Sequence, residues 1–229
     1  MGAFHKIIAT VRSALERKPP AIPDHAAETA RQPMPIAPAA RRAELSSQFA
    51  RELERVGGHF MGVLTPAEAC DRIVALAREL NVKSAALGES VVLDLEPAAR
   101  ALAQTGLNLI RPWKTTGADR ATLRDQIATC DLGIVEAHYA IASTGTFAVL
   151  GTPGRPNSLT LLPPVNLILV DAERIVPDLA AAIAALGPEA IATHRLALIT
   201  GPSRTADIEK MIVLGVHGPK QLYAAAIWK

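Results

Sequence analysis

Apolar residues recur along this chain at two periods, one helical and one strand-like, and the two alternate. Leu45, Phe49, Leu53 and Val56 share one helical face, and Gly57-Gly58 stops that helix. Residues 60–64 then read as a short strand. Thr65-Pro66 supplies an N-cap hydroxyl and a proline at the first helical position, opening a helix with Ile73, Leu76 and Leu80 that ends near Asn81. A strand at 84–87, a helix around 97–103, a strand at 107–110 and a helix around 118–128 continue the alternation. Strands that alternate with helices predict a parallel sheet covered by helices.

After Asp131 the rhythm changes. Residues 132–137, 146–150, 158–162 and 167–170 read as closely spaced strands separated by Gly and Pro turns, with no helix among them. Pro163-Pro164 is expected to bend the chain into the strand at Leu167, a cis bond being one way to do so. A helix at 176–186 and a strand at 196–199 restore the alternation, and residues 222–227 close the chain as a strand. Internal repeats are absent.

Ahead of this body, residues 3–17 carry Ile7, Ile8, Val11 and Leu15 at helical spacing. The prolines that follow, from Pro19 to Pro38, lack N–H donors and fix φ, so they predict an extended arm. The chain therefore divides into an N-terminal helix with its Pro-rich arm, 1–41, and an α/β domain, 42–229.

Composition narrows the function classes. The chain is 49% apolar but only 3% aromatic, which calls for an aliphatic, layered core. Its net charge of +2 is small; nine Lys or Arg face six acids up to Arg55, and fifteen face sixteen beyond it. Neither a clustered basic stripe nor stacking aromatics are present, so nucleic acid is not the expected partner. Cys70 and Cys130 stand far apart, without the spacing of a zinc or iron–sulfur site, and read as reduced buried thiols. The start lacks a signal peptide's apolar core, and no run is long enough to span a membrane. A cytoplasmic protein is expected.

Three polar clusters could carry chemistry. In the first, residues 200–209 (Thr-Gly-Pro-Ser-Arg-Thr-Ala-Asp-Ile-Glu) follow the strand at 196–199 and read as a helix start, where free backbone N–H groups favour an anion. Ser203 or Thr205 would cap that helix and Arg204 would meet the anion, with His217 in the nearby Gly-rich stretch 215–220. In the second, Glu136 and His138 precede the hydroxyl-rich turn Ser143-Thr144-Gly145-Thr146. Glu136 or His138 would act as acid, base or orienting group, and Gly145 would allow close backbone approach. The third is the loop 151–158, whose Arg155 could hold a carboxylate or phosphate in a bidentate fork. Each reading has a plain alternative: the hydroxyls bond their own turns, the arginines are solvated, and Asp207 and Glu209 merely suit a helix dipole. The chain lacks a phosphate-binding Gly-rich loop, a dinucleotide fingerprint and a Ser/His/Asp order, so nucleotide hydrolysis and hydride transfer have no support.

Taken together, Ser143 to Thr146, Ser158 to Pro164, Ile175-Val176-Pro177, Thr200 to Glu209 and Gly215 to Lys220 resemble the LUD-domain family, in its lactate-utilisation protein C branch. The N-terminal Ile7-Ile8, Val11-Arg12 and Leu15 are similar to that branch too. The resemblance implies a Rossmann-like α/β sandwich related to the sugar-phosphate isomerase and CoA-transferase group, formyltetrahydrofolate cyclo-ligase included. It also implies a part in oxidising L-lactate to pyruvate beside partner subunits that carry the iron–sulfur clusters; the lack of clustered cysteines here fits a subunit without a cluster, and no cofactor is assigned to this chain. One position departs: Ser143 stands where family members often have Glu before Thr-Gly-Thr, which shifts any acid–base role toward Glu136.

The leading expectation is thus a lactate-utilisation component that binds a small carboxylate or other anion. Arg155 and Arg204 would hold it, Thr144, Gly145, Thr146, Ser203 and Thr205 would orient it, and Glu136 or His217 would handle protons. Self-association is compatible with this reading. The alternatives are a stand-alone acyl- or phosphate-handling enzyme with Glu136 as nucleophile or base, and a non-catalytic assembly subunit docking through its N-terminal helix.

Overall fold

The structure, a computed structural model, describes residues 38–112, 120–192, 195–206, 212–214 and 218–228. The helix expected at 3–17, nearly all of the Pro-rich arm, and Asp207, Glu209 and His217 lie outside these residues.

The centre is a six-stranded sheet in which every neighbouring pair runs parallel. Its strands are β1 (His59–Leu64), β12 (Gln221–Ile227), β7 (Val165–Asp171), β4 (Leu132–Glu136), β2 (Ser84–Leu87) and β3 (Asn108–Ile110), in that spatial order. β4 and β7 are buried almost throughout, as a parallel sheet covered on both faces requires. Alternate residues serve opposite faces. Leu132, Ile134, Leu167 and Leu169 pack on helices α2 (Pro66–Glu79) and α3 (Glu96–Gln104) through Ile73, Leu76 and Leu102. Val135, Ile168 and Val170 face the other way, toward Leu45, Phe49 and Leu53 of α1 (Ala39–Arg55). Phe49 is wholly buried and meets Phe60 and Phe147 edge-on at 5.7 and 5.0 Å, so three of the chain's few aromatics close one joint.

Local signals explain the element starts. Thr65 and Glu68 form a complete capping box at the head of α2: the Thr65 hydroxyl accepts from Glu68 N–H, and the Glu68 carboxylate accepts from Thr65 N–H at 2.8 Å. The Thr65 N–H and hydroxyl, both donating to it, hold the Glu68 carboxyl below its usual value. Helix α4 (Arg120–Ala128) falls where periodicity placed it.

A second, four-stranded sheet stands beside the first: β8 (Ile175–Val176), β5 (Tyr139–Ile141), β6 (Thr146–Leu150) and β9 (Leu196–Thr200). The three polar clusters therefore divide between two sheets. β5 and β8 are too short to show a period in the sequence, and each is fixed by its partner strand. Three further expectations are corrected. Residues 158–162 are not a strand: Ser158–Leu161 form one helical turn, α5, with Leu159 and Thr160 buried, because Pro156-Asn157 opens it and Pro163 removes the N–H that would extend it. The helix expected at 176–186 starts at Leu179 instead, since β-branched Ile175 and Val176 join β5 and Asp178 accepts from Ala181 N–H at 2.8 Å; α6 runs Leu179–Ala192 with a break at Gly187. Finally, residues 204–206, expected within a helix start, are a strand. β10 (Arg204–Ala206) pairs antiparallel with β11 (Ile212–Leu214), where the β-branched Thr205, Ile212 and Val213 outweigh the acidic helix-start signal. The described peptide bonds are all trans, including Pro163-Pro164.

Candidate functional site

β2 and β4 are neighbours whose chains part company. From β2 the chain crosses through α3 to β3 at one edge; from β4 it leaves into the second sheet and returns at β7 on the other side. Such a reversal of strand order marks the carboxyl ends of these strands as the place where open α/β sheets bind ligands. Glu136 is the last residue of β4 and lies there.

Glu136 is only 4% exposed. One carboxylate oxygen, Oε2, accepts from the Ser90 hydroxyl at 2.9 Å, from Val92 N–H at 2.9 Å and from Val91 N–H. All three donors belong to the loop that follows β2. The other oxygen, Oε1, faces Nη1 of Arg155 at 3.4 Å, an ion pair too long for a good hydrogen bond. Arg155 is 6% exposed, and its Nε and Nη1 are buried without a hydrogen-bond acceptor. Its Nη2 approaches Nε2 of His138 at 3.5 Å. His138, 8% exposed, accepts the Leu150 N–H at Nδ1 over 3.2 Å.

Arg155 reaches this position from a tight turn in which Thr152 and Arg155 exchange backbone hydrogen bonds. The turn lies flat on the β2 loop: Glu89 N–H donates to the Gly154 carbonyl at 2.9 Å, and a Cβ on Gly154 would collide with the Glu89 carboxylate. A buried carboxylate, a buried guanidinium with unsatisfied donors and an oriented imidazole thus meet where two loops close over a strand end. Leaving such donors without acceptors costs free energy, and a ligand oxygen would recover it.

The other expected residues gather elsewhere. Thr144, Thr146 and Thr200 form a chain of hydroxyls, each contact 2.7 Å long. Gly145, at φ 63°, packs on the backbone of Leu53 in α1. Arg204 donates from Nη2 to the Val56 carbonyl at 2.7 Å, at the end of the same helix. Ser203 donates its N–H to Pro219, and Thr205 pairs with Val213 across the hairpin. Thr146 begins β6 whereas Leu150, beside His138, ends it; four residues of strand, about 13 Å, separate the two clusters. The structure unites Glu136 and Arg155 with His138, and puts Thr144, Gly145, Thr146, Ser203 and Arg204 around the end of α1. Ser90 and the Val91 and Val92 amides were missed, although Gly88-Glu89-Ser90 after an apolar strand is the same loop signal that marked the other clusters. Among the described residues no group of three His, Cys, Asp or Glu could hold a metal ion, and no helix is long and apolar enough to cross a membrane.

A Rossmann-like layered α/β protein with a buried polar cluster at a strand end is the class that these observations define. A family model described as the LUD domain matches residues 46–225, so the chain belongs to the LUD-domain family. It is 33% identical over 114 residues to lactate utilization protein C of Halalkalibacterium halodurans, a stretch covering 48% of this chain and 49% of that protein. It is 30% identical over 158 residues to uncharacterized protein YkgG of Escherichia coli, covering 67% and 66%. The matched stretch thus spans about half of the first relative's length. The crystal structure of a DUF162 family protein from Deinococcus radiodurans superposes with a TM-score of 0.56 at 19% identity, covering 81% of this chain and 98% of that one, which supports the fold.

Proposed function

We propose that this chain is a component of a cytoplasmic L-lactate utilisation system and binds a small carboxylate at Arg155. The observation that supports the ligand class is the Arg155 guanidinium, buried with Nε and Nη1 lacking acceptors. A carboxylate oxygen is a charge-assisted acceptor that matches such a group. Glu136 sets the position of the guanidinium from one side and pins the covering loop through Ser90, Val91 and Val92. The relatives named for lactate utilization supply the setting. In it, L-lactate loses two electrons and two protons to become pyruvate, and partner subunits bearing iron–sulfur clusters take the electrons. The second cluster, around Arg204 and Gly145, is assigned to holding α1 in place.

Titration calorimetry of the full chain with L-lactate tests the ligand. Arg155→Met is expected to abolish the binding heat in a protein that remains folded; unchanged binding would refute the assignment. Co-purification from lactate-grown cells, with iron assayed on what is retained, tests the setting.

A further inference from the structure

We infer that the segment 152–156 is a flap that carries Arg155 into and out of the cluster, while the facing loop 88–92 stays fixed to β4. The proposal rests on the reading that Arg155 takes a carboxylate, for which the flap is the way in. With Glu136 and Arg155 only 4% and 6% exposed, the guanidinium's Nε and Nη1 open to a ligand only when one of the covering segments moves. The two segments are held differently. Loop 88–92 is tied to β4 near both ends: Gly88 N–H donates to the Ile134 carbonyl at 2.7 Å, and the Ser90 hydroxyl and Val92 N–H each donate to Glu136 Oε2 at 2.9 Å. Val92 and Leu93 then enter the core and anchor the loop's exit.

The segment 152–156 has both feet on one atom. Gly151 N–H and the Asn157 side-chain amide donate to the same Arg195 carbonyl oxygen, at 3.0 and 3.1 Å. A span pinned at a single acceptor can swing about it without losing either bond. Between the feet the chain moves as a unit, because Thr152 and Arg155 exchange backbone bonds and Arg155 N–H also donates to the Thr152 hydroxyl at 3.1 Å. Pro153 and Pro156, with φ fixed, stiffen it further. Among the described residues, the flap's short bond to the facing loop runs from Glu89 N–H to the Gly154 carbonyl at 2.9 Å. The approaches of Arg155 to Glu136 at 3.4 Å and to His138 at 3.5 Å are long for hydrogen bonds. Opening therefore breaks one backbone hydrogen bond and two stretched contacts, and it presents the two guanidinium donors that lack acceptors.

Residue-resolved amide exchange of the full chain, read by NMR, tests the flap, because three nearby amides report on different ties. Gly88 N–H bonds β4, Glu89 N–H bonds the flap and Val92 N–H bonds Glu136. Corrected for intrinsic rates, Glu89 is expected to exchange at least about tenfold faster than Gly88 and Val92, as in a local opening whose neighbours stay protected. L-lactate at about ten times its dissociation constant is expected to slow Glu89 by about tenfold, the mass-action factor for a ligand held under the closed flap. Equal rates at the three amides overturn the flap. A Glu89 rate that L-lactate leaves unchanged, in a protein that binds it by calorimetry, overturns the flap as well, since the ligand then enters without it. Absence of any binding heat overturns the Arg155 reading instead, and the contrast between Glu89 and its neighbours still decides the flap.

Discussion

Gly145 lies against Leu53 so closely that a Cβ at this position would stand 2.6 Å from the Leu53 Cα. Its φ of 63° is also a conformation that side-chain-bearing residues adopt only at a cost. The two effects act together, because neither the α1 backbone nor the hydroxyl turn can yield without disturbing the Phe49–Phe147 contact. Gly145→Ala is expected to destabilise the protein by about 2–4 kcal/mol, with the loss read from urea unfolding. A change below about 0.5 kcal/mol would show that α1 does not rest on this turn.

The Gly145 result also shows where the sequence was informative. Close backbone approach at the glycine was foreseeable from Thr-Gly-Thr, but the approaching partner was not. A glycine reports a lack of space without naming what fills it, and here the neighbour is a helix from far along the chain. The parallel sheet was legible because β2, β4 and β7 carry uninterrupted apolar runs and Thr65-Pro66 marks a helix start. β10 was not, since three residues are too few to show a period and their extended form comes from pairing with β11. Of the site, Glu136 and Arg155 were named from loop position. Their meeting with His138 follows from the divergence of β2 and β4, which no local spacing encodes.

Breaking the Glu136–Arg155 pair should cost more than its long geometry suggests. Arg155→Met leaves the Glu136 carboxylate buried without a countercharge, and Glu136→Gln leaves the guanidinium in the same position. Each single variant is expected to lose about 2–4 kcal/mol, near the range for stripping one partner from a buried pair. The double variant is expected to lose less than the sum by about 1–3 kcal/mol, because the second substitution removes the charge that the first one stranded. Additive losses in chemical denaturation would mean that the two charges do not interact.

Asp131 makes stability depend on acid. Burial alone would raise its carboxyl, but N–H groups of Lys83 and Ser84, the Ser84 hydroxyl and the Lys83 charge outweigh burial and hold it below the ordinary 3.8. The bonds are 2.8, 2.9 and 3.1 Å long and tie the start of β2 to the start of β4. A carboxyl depressed in the folded state contributes stability that is fully present above its unfolded value. That contribution declines as pH falls through the folded value. Asp131→Asn is therefore expected to lower stability at pH 7 by about 1–3 kcal/mol and to flatten the stability profile below about pH 4. A variant with the wild-type acid profile would refute this.

Cys130 should be chemically silent while the protein is folded. Burial, followed by the nearby Asp131 charge, pushes its thiol up to about 11. Its Sγ lies 3.5 Å from the Gln126 carbonyl, and the residue is 2% exposed. Since the thiolate is the reactive form, on the order of 0.1% of it is present at pH 8. Reagent must also wait for Ile127 and Leu159 to move off the sulfur's pocket beside Ala86. Cys70 is half-buried and its thiol is likewise raised by burial, so it reacts slowly but ahead of Cys130. In a Cys70→Ser variant, the single remaining thiol is expected to react with a disulfide reagent at pH 8 only on the timescale of unfolding, and promptly in urea. Prompt labelling of that variant in native buffer would show that the α4 end opens readily, and that its packing against β2 is looser than the buried sulfur implies.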